Sequence, residues 1–259
     1  MTDLLRDPVI EVEDLALGYE DALLLEHLDF EVHPGEVFVI LGVSGSGKST
    51  LLRSMVGLHR PLRGRILLNG KDIVSARGEE RARLLRQIGV MYQSGALFRS
   101  MSLLENVRLP LDEFTDLDRV ECDMVALAKL NQVGLRAAAH KMPGELSGGM
   151  QKRAAIARAM SLDPGAIFLD EPSAGIDPIT SAGLDALIRQ LSRDLGITFV
   201  IVTHELQSTF AIADRCILLD TRTKGIIAQG KPKELRDHSV HPDVMRFFRR
   251  EPDPAGALA

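Results

Sequence analysis

Hydrophobic and polar positions along this chain predict strands first, helices in the middle and further strands towards the end. Residues 9–32 contain segments that alternate apolar and polar side chains, as strands with one buried face do. The run at 37–41 is continuously apolar, which indicates a strand buried on both faces. The spacing becomes helical between about residues 93 and 160, and a strand pattern returns at 166–169. This order predicts an α/β core interrupted by a helical insertion.

Composition narrows the class of protein without assigning a function. The chain has 259 residues, 45% hydrophobic and 26% charged, which is ordinary for a globular protein with a sizeable core. The net charge of −5 argues against a nucleic-acid binder, whose surface is usually basic. No segment approaches the ~20 consecutive apolar residues of a membrane span, and the N-terminus lacks the pattern of a signal peptide. Cys122 and Cys216 have no metal-like spacing, so we expect reduced, buried thiols in a cytoplasmic protein.

A glycine-rich segment at residues 42–50 has the order Gly-x-x-x-x-Gly-Lys-Ser between a strand pattern and a helix pattern, which is the context of a phosphate-binding loop. Glycines let the backbone wrap closely around an anion, and the amide groups at the helix start point towards it. Lys48 supplies a cation for the β- and γ-phosphates, and Ser49 supplies a hydroxyl for Mg²⁺. Kinases, GTPases and transport ATPases all use such a loop, so it leaves the reaction open. The candidate ATP-binding residues here are Gly42, Ser44, Gly45, Ser46, Gly47, Lys48, Ser49 and Thr50.

Two acidic residues follow the apolar strand pattern at 166–169. Carboxylates at the carboxyl end of a buried strand lie at the edge of the sheet where nucleotides bind in open α/β folds. We expect Asp170 to hold Mg²⁺, and Glu171 to orient or deprotonate the attacking water. A strand that ends in Asp-Glu is by itself a common solvated turn. The phosphate loop about 120 residues earlier is what favours the functional interpretation.

A second helix that begins with an anion-binding turn is predicted at Leu146–Arg153, and a kinase or a GTPase has no evident need of it. This segment closely resembles the signature motif of ATP-binding cassette (ABC) proteins. The resemblance implies a head-to-tail dimer, in which Ser147, Gly148 and Gly149 of one copy complete the ATP site of the other at the γ-phosphate. Met150 stands where that family usually has glutamine, which leaves the amide donors intact but removes one side chain.

Further residues stand where the same family has functional groups. The resemblance implies that Tyr19 stacks on adenine, that Gln93 contacts Mg²⁺ and water, and that Asp177 lies in the loop that crosses the dimer interface. It also implies that His204 bonds the γ-phosphate and steadies the Glu171 carboxylate. Each of these residue types alone more often has a structural role. Their order along the chain makes the resemblance specific, and it covers roughly residues 9–235.

Three segments resemble one branch of this family, the ATPases of MCE/Mla-type phospholipid transporters. They are residues 93–111, the Leu-Ser-Gly-Gly-Met run, and residues 175–180, which carry Gly-Ile-Asp-Pro-Ile-Thr. The resemblance implies a second copy of this chain, an integral permease dimer, a lipid-binding MCE-domain protein and a small accessory subunit as partners. It places the chain on the cytoplasmic face of the inner membrane, with no nucleic acid as a partner.

Two apolar segments have open alternatives. Ala96, Leu97 and Phe98 either form an exposed apolar seat for a coupling helix of the permease or pack inside the helical insertion. For Phe98 the two alternatives are evenly balanced. The extension at 240–250, which contains Val244 and Phe248, either docks on another subunit or packs on its own chain. The final Pro- and Ala-rich stretch, residues 251–259, is predicted to be mobile.

The predicted fold is therefore α/β: a P-loop NTPase (RecA-like) core with an antiparallel β subdomain and an inserted α-helical subdomain. We expect the ATP-binding core with its β subdomain at 1–92 and 162–238, the helical subdomain with the signature at 93–161, and a C-terminal extension at 239–259.

The predicted function is ATP hydrolysis, with ATP and Mg²⁺ as cofactors, that powers phospholipid transport between bacterial membranes. An importer ATPase for amino acids or another small solute would have the same catalytic residues. A soluble ABC protein of DNA repair or translation usually carries two cassettes or a long coiled-coil insertion, and this sequence has neither. A small-molecule kinase leaves the signature helix and His204 unexplained.

Overall fold

The structure is a computed structural model that describes residues 7–19 and 22–251. The predicted absence of a signal peptide and the predicted mobile tail concern residues 1–8 and 251–259, most of which lie outside the described residues. Within the described residues, the strands are β1 (Ile10–Tyr19), β2 (Ala22–Val32), β3 (Val37–Gly42), β4 (Arg63–Leu68), β5 (Lys71–Asp72), β6 (Ile88–Met91), β7 (Ala166–Asp170), β8 (Thr198–Val202), β9 (Arg215–Asp220) and β10 (Gly225–Gly230).

The helices concentrate where the apolar spacing predicts them, between β6 and β7 and after β7. Within the described residues, they are α1 (Lys48–Met55), α2 (Gly78–Leu85), α3 (Leu103–Phe114), α4 (Arg119–Gln132), α5 (Gly148–Ala159), α6 (Pro178–Leu195), α7 (Leu206–Ile212), α8 (Pro232–His238) and α9 (Pro242–Arg249). No helix in these ranges is both long enough and apolar enough to cross a membrane.

The strands form two sheets. The larger sheet has the order β10-β9-β3-β8-β7-β6, and its strands are parallel except for β10. Parallel strands end at the same edge, so β3, β7 and β8 deliver Gly42, Asp170 and Val202 to neighbouring positions, with Asp170 paired to Val202. The residues that follow these ends, including Glu171 and His204, therefore lie at one edge of the sheet. This edge is where the candidate site forms.

The smaller sheet is antiparallel, in the order β2-β1-β4-β5, and it faces one side of the larger sheet. Alternate side chains of β3 enter different cores, because successive residues of a strand point to opposite faces. Phe38 and Ile40 pack with the smaller sheet, whereas Val37, Val39 and Leu41 pack with the helices. The continuously apolar pattern of β3 thus reflects burial on both faces, as predicted.

Polar caps begin the three α-helices between β6 and β7. Ser102 and Glu105 form a capping box at the start of α3, and Asp118 and Glu121 form another at α4. The Ser147 hydroxyl accepts a hydrogen bond from the Met150 amide at the start of α5. These caps satisfy amide groups that have no partner inside the helix, so they define where each helix begins.

The C-terminal helix α9 packs against its own chain. Val244 and Phe248 are buried, and the Phe248 ring centroid lies 5.9 Å from that of Phe210 on α7. Self-packing is therefore the alternative that the structure supports for these two residues. Cys122 and Cys216 are both free and buried, as predicted, and burial raises the pKa of the Cys216 thiol to about 12.

Candidate nucleotide-binding site

A cleft of about 570 Å³ opens at the carboxyl edge of the larger sheet. Residues that follow four strand ends (β3, β6, β7 and β8) and one strand of the smaller sheet, β2, contribute to it. The cleft is lined by Leu24, Ser44, Gly45, Ser46, Gly47, Lys48, Ser49, Thr50, Gln93, Glu171 and His204. The fold therefore brings together the phosphate loop, one candidate glutamine and the candidate catalytic pair, which lie up to 160 residues apart in the sequence.

The glycine-rich loop leads directly into α1. Gly47 precedes the helix with φ of +90°, in the left-handed region that favours glycine, and the first intrahelical bond runs from the Leu51 amide to the Gly47 carbonyl. The amides of the first helical turn consequently have no intrahelical partner and form a positive helix end. This geometry suits an anion such as a phosphate group.

Lys48 lies across the loop. Its Nζ donates hydrogen bonds of 2.8 Å to the carbonyl oxygens of Gly42 and Val43. Burial lowers the pKa of the Lys48 ammonium group, and the negative charges of Glu171 and Asp170 oppose that effect. The Lys48 ammonium group therefore already lies at the cleft, and the two carboxylates favour its charged form.

One unsatisfied hydroxyl and two tightly packed glycines characterise the phosphate loop. The Ser46 hydroxyl is buried and has no hydrogen-bond partner within the described residues. A Cβ atom on Gly42 would collide with that hydroxyl, and one on Gly47 would lie 2.6 Å from Leu25 Cδ1. Both glycines are therefore required for the loop to close around a ligand.

Asp170 ends β7 beside the start of α1. The Ser49 hydroxyl donates a 3.4 Å hydrogen bond to its Oδ1. Burial raises the pKa of the Asp170 carboxyl, the charge of Glu171 raises it further, and the Ser49 hydrogen bond and the charges of Arg53 and Lys48 lower it. A hydroxyl and a carboxylate oxygen in this arrangement are suitable donors for Mg²⁺, which prefers oxygen ligands and keeps most of its coordination for phosphates and water.

Glu171 is held in place from two sides. Its Oε1 lies 2.8 Å from Nδ1 of His204, and its Oε2 accepts a 3.1 Å hydrogen bond from the Thr203 hydroxyl. Glu171 also has φ of +46°, a left-handed conformation that costs of order 1 kcal/mol in a non-glycine residue and often marks a functional site. Sequence reasoning missed Thr203, although its position immediately before His204 at a strand end was a usable signal.

Tyr19 lies at the end of β1, beside the phosphate loop. Its hydroxyl is 3.3 Å from the Thr50 hydroxyl, and its ring centroid is 4.7 Å from that of His59. Almost half of Tyr19 is exposed, at 49%. An exposed ring face next to the loop is available to a flat ligand, although Tyr19 is not among the residues that line the cleft itself.

The signature residues lie apart from the residues that line the cleft. Gly148 and Gly149 at the start of α5 pack against the first turn of α6 and the loop before it: a Cβ on Gly149 would collide with Thr180 of α6, and one on Gly148 would lie 3.3 Å from Ile176 of the loop. Asp177 caps α6 through the amides of residues 179 and 180. The structure thus brings the signature and the Asp177 loop together, and does not bring either to the cleft of the same chain.

The departure at Met150 has a local explanation. Met150 is partly buried and packs on the helical core. The glutamine one place later, Gln151, donates from Nε2 to the carbonyl oxygens of Pro143 at 3.0 Å and Leu146 at 3.2 Å. Gln151 therefore holds the turn before α5, and it is not oriented towards a ligand of the signature.

Substituting alanine for Gly47 is expected to lower both the stability and the ATP affinity of the chain. The new Cβ would adopt a left-handed φ and press on Leu25, so we expect the free energy of unfolding to fall by about 2–4 kcal/mol. Gly70→Ala is the matched control: Gly70 has φ of +71° but open space around its Cβ position, so its cost is only about 1 kcal/mol. Chemical denaturation and ATP titration measure both effects; equal losses for the two variants would contradict the cradle geometry.

The chain is similar to known proteins over most of its length. The family model described as ABC transporter matches residues 25–174. Over 95% of this chain and 92% of the relative, the sequence is 38% identical to the intermembrane phospholipid transport system ATP-binding protein MlaF of Haemophilus influenzae. It is 39% identical to the "Probable ribonucleotide transport ATP-binding protein mkl" of Mycobacterium leprae, over 92% of this chain and 68% of that protein. A dimeric ATP-binding cassette, MJ0796, in a post-hydrolysis state with ADP and Pi, has a TM-score of 0.76 and 29% identity, over 86% of this chain and 98% of that one.

The chain belongs to the ABC transporter family, as an ATP-binding cassette that hydrolyses ATP. This confirms the resemblance noted in the sequence. The predicted fold, a P-loop α/β core with an antiparallel β subdomain and an inserted helical subdomain, is confirmed as well.

Proposed function

We propose that this chain is the ATPase subunit of a transporter that moves phospholipid between bacterial membranes. The observation that carries the ATPase chemistry is the pairing of Glu171 with His204 at the edge of a cleft lined by the phosphate loop. The phospholipid substrate rests on the 38% identity to a phospholipid transport ATPase over 95% of the chain, together with the three segments that resemble that branch.

The residues of the cleft have distinct roles in this proposal. The backbone amides of Gly42–Thr50 bind the phosphates, Lys48 contacts the β- and γ-phosphates, and Tyr19 stacks on the adenine ring. Glu171 orients the attacking water and accepts its proton, while His204 holds the Glu171 carboxylate and contacts the γ-phosphate. Lys48, already desolvated beside the cleft, stabilises the charge on the transferred phosphoryl group.

Mg²⁺ fits the donors beside the loop. Ser49, Asp170 and Gln93 would hold it with their hydroxyl, carboxylate and amide oxygens. When bound, it supplies positive charge to the β- and γ-phosphates. The hydrogen bond between Ser49 and Asp170 already places two of these donors next to each other.

Two copies of the chain are required for a complete site in this proposal. Gly148 and Gly149 pack beside the Asp177 loop, Ser147 precedes them as the N-cap of α5, and none of the three lines the cleft of its own chain. In a head-to-tail dimer these residues cover the ATP of the other copy, with the Ser147 hydroxyl and the amides at the start of α5 facing the γ-phosphate. The dimeric state of the related cassette MJ0796 supports this arrangement.

An integral permease dimer is the proposed partner on the membrane side. An apolar groove of about 320 Å³ lies between α2, β6, α3 and α5; we call it the α2–α3 groove. Its apolar lining includes Leu85, Ile88, Val90, Pro110, Phe114 and Leu162. Ala96 and Phe98 are exposed nearby, Phe98 to 50%, whereas Leu97 packs partly on the core. An amphipathic helix of the permease matches such a groove, because the groove buries one apolar face of the helix.

Further parts of the assembly follow from the same relationship. We propose an MCE-domain lipid-binding protein and a small accessory subunit as additional partners, and a peripheral position on the cytoplasmic face of the inner membrane. Within the chain, we assign 1–92 and 162–238 to the ATP-binding core with its β subdomain, 93–161 to the helical subdomain and 239–259 to the C-terminal extension. The placement of α3, α4 and α5 between β6 and β7 supports these boundaries.

The transported substance separates this proposal from transport of a small solute. The related protein of Mycobacterium leprae carries a name for ribonucleotide transport. The catalytic residues proposed for this chain would be the same in both cases, so they do not distinguish the two substrates. The test is to purify, in a mild detergent, the membrane complex that accompanies the full-length tagged chain, and to analyse its lipids by mass spectrometry. We expect bound phospholipid in a fixed ratio to the complex. An unrelated membrane protein from the same cells gives the background.

Three results would contradict the proposal. Phospholipid at the background level together with a bound nucleotide or amino acid would favour the small-solute importer. Co-purification with ribosomes or DNA in place of membrane proteins would favour a soluble ABC protein. A complex that contains no ATPase activity would remove the basis of the proposal altogether.

A further inference from the structure

The loop after β6 is fastened to α5 by two cationic side chains. Lys152 donates a hydrogen bond from Nζ to the main-chain carbonyl oxygen of Gln93. Arg158 donates to the carbonyl oxygens of Gly95 at 3.0 Å and Ala96 at 2.7 Å. Three carbonyl groups of the four-residue stretch 93–96 thus point at cations from a single helix. We call this set of contacts the α5 clasp.

The clasp is buried enough to hold the loop firmly. Lys152 is only 7% exposed, and burial lowers the pKa of both cationic groups. Hydrogen bonds from a charged donor are stronger than neutral ones, and a carbonyl or a cation left unpaired in such a site is costly. Either loss destabilises this conformation of the loop.

The loop is held in a conformation that it does not favour by itself. Ala96 has φ of +48°, in the left-handed region, which costs roughly 1–2 kcal/mol for a residue with a Cβ atom. Arg158 binds the carbonyl of this same residue. Backbone strain that persists because surrounding contacts enforce it is typical of segments that act in function.

The clasp connects three places in the molecule. Gln93 lines the nucleotide cleft, and Arg158 lines the α2–α3 groove beside the exposed Ala96. The helix that carries both cations begins with the signature, and Ser147 is its N-cap. A rigid α5 with its attached loop therefore contributes residues to the cleft of its own chain and to the α2–α3 groove. It also carries the signature residues proposed to contact the ATP of the other copy.

We propose that Lys152 is a positioning residue that makes Gln93 and the signature move as one unit. A partner seated in the α2–α3 groove then acts on both ATP sites of the dimer together: on one through Gln93, and on the other through Ser147. This inference rests on the proposed function, because it takes the dimer and the permease from it. It adds the Lys152 contact as a physical connection between the Gln93 loop of one ATP site and the signature that completes the other.

Lys152 carries this role better than its neighbours. Arg158 lines the groove, so replacing it would alter docking directly. The buried Asn106 also holds the loop, but further along, through Phe98, Met101 and Ser102. The Lys152 contact instead ends on Gln93, the loop residue that lines the nucleotide cleft.

The test is Lys152→Met in the intact membrane complex. The methionine preserves the length and the apolar stem of the side chain and removes the ammonium group. We expect kcat for ATP hydrolysis to fall about tenfold while KM for ATP stays within twofold, because the binding residues of the cleft are unchanged. The cooperativity between the two ATP sites should be lost, and Lys152→Arg, which restores a cationic donor, should recover most of kcat.

Lys129→Met is the matched control. Lys129 is also 7% exposed, but it pairs with Asp163, and neither residue lines the nucleotide cleft or the α2–α3 groove. We expect this control to lower the melting temperature at least as much as Lys152→Met, with kcat and cooperativity at wild-type values. A merely structural role for Lys152 predicts instead that the two variants lose activity equally at equal loss of stability.

Several outcomes decide the matter. Wild-type kcat and cooperativity in Lys152→Met, or the same loss in the Lys129 control, overturn the inference. If Lys152→Met does not fold, Lys152→Gln keeps a neutral donor for the Gln93 carbonyl; full activity in that folded variant overturns the role of the charge, and a reduced kcat at unchanged KM supports it. The proposed function fails separately, if the wild-type complex does not hydrolyse ATP or if Glu171→Gln turns over normally.

Discussion

Glu171→Gln is expected to stop ATP turnover while ATP stays bound, so that the chain accumulates as a closed dimer. Glutamine keeps the shape of the side chain, and hydrogen bonds to Thr203 and His204 remain available to it. It cannot accept a proton from the attacking water. Loss of a general base typically lowers a rate by 10²–10⁴-fold, and we expect a reduction of at least about 100-fold in kcat.

The measurement combines turnover with the oligomeric state. ATP hydrolysis is followed by phosphate release, and size-exclusion chromatography with light scattering reports the dimer in the presence of ATP and Mg²⁺. Glu205→Gln is the matched control, because it removes the same charge from the residue next to His204 without touching Glu171. Rapid hydrolysis by Glu171→Gln, or equal inhibition by the control, would show that Glu171 is not the base.

Lys48→Ala has the second largest expected effect, and it acts on binding as well as on turnover. A hydrogen bond to a charged group contributes about 1.5–3 kcal/mol, so we expect ATP affinity to fall by roughly 10–100-fold. Hydrolysis should fall below detection, because Lys48 also stabilises the charge that develops on the transferred phosphoryl group. The desolvated position of the ammonium group beside the cleft makes this charge effective.

Stability and binding are separable for this variant. Lys48 also satisfies the carbonyl groups of Gly42 and Val43, so its removal is expected to lower the melting temperature of the nucleotide-free chain slightly. Lys129→Ala is the control: it removes an equally buried lysine outside the cleft, so it should lower the melting temperature and leave ATP affinity intact. Unchanged ATP affinity in Lys48→Ala would contradict the assigned role of the loop.

The two variants separate the halves of the mechanism. Lys48→Ala should need a roughly 10–100-fold higher ATP concentration for binding, and should therefore form the ATP-dependent dimer poorly. Glu171→Gln should bind ATP and dimerise but fail to hydrolyse the bound ATP. The structure gives the reason: Lys48 donates hydrogen bonds to the phosphate loop itself, whereas Glu171 is held by Thr203 and His204, which follow β8.

Local sequence patterns were sufficient for the elements that carry the chemistry. The phosphate loop is contiguous, so the order of its residues already specifies a strand, a tight turn and a helix start. The continuous apolar runs of β3 and β7 predicted buried strands, and parallel strands end at one edge by geometry alone. Polar N-caps such as Ser147 and Asp177 also indicate where their helices begin, because the capping hydrogen bond joins residues only two or three positions apart.

Contacts between residues that are far apart in the sequence became visible only in the folded chain. Thr203 and His204 meet Glu171 because β7 and β8 are neighbours in the larger sheet, and this pairing is not visible in either strand separately. Phe98 is exposed, although the sequence was equally consistent with burial inside the helical insertion. The α5 clasp was not predicted from the sequence. Lys152 and the Gln93 carbonyl oxygen that it binds are 59 residues apart, and no local sequence pattern indicates such a contact.

The order of contiguous residues was enough to predict a phosphate-binding loop at residues 42–50 and a second anion-binding motif at 147–149. The folded chain decided that these two motifs do not meet in one copy, because Gly148 and Gly149 pack against the Asp177 loop while the phosphate loop lies at the sheet edge. Motifs of contiguous residues follow from backbone propensity and charge. Their separation depends on how the sheet and the inserted helices pack, and only long-range contacts fix that packing.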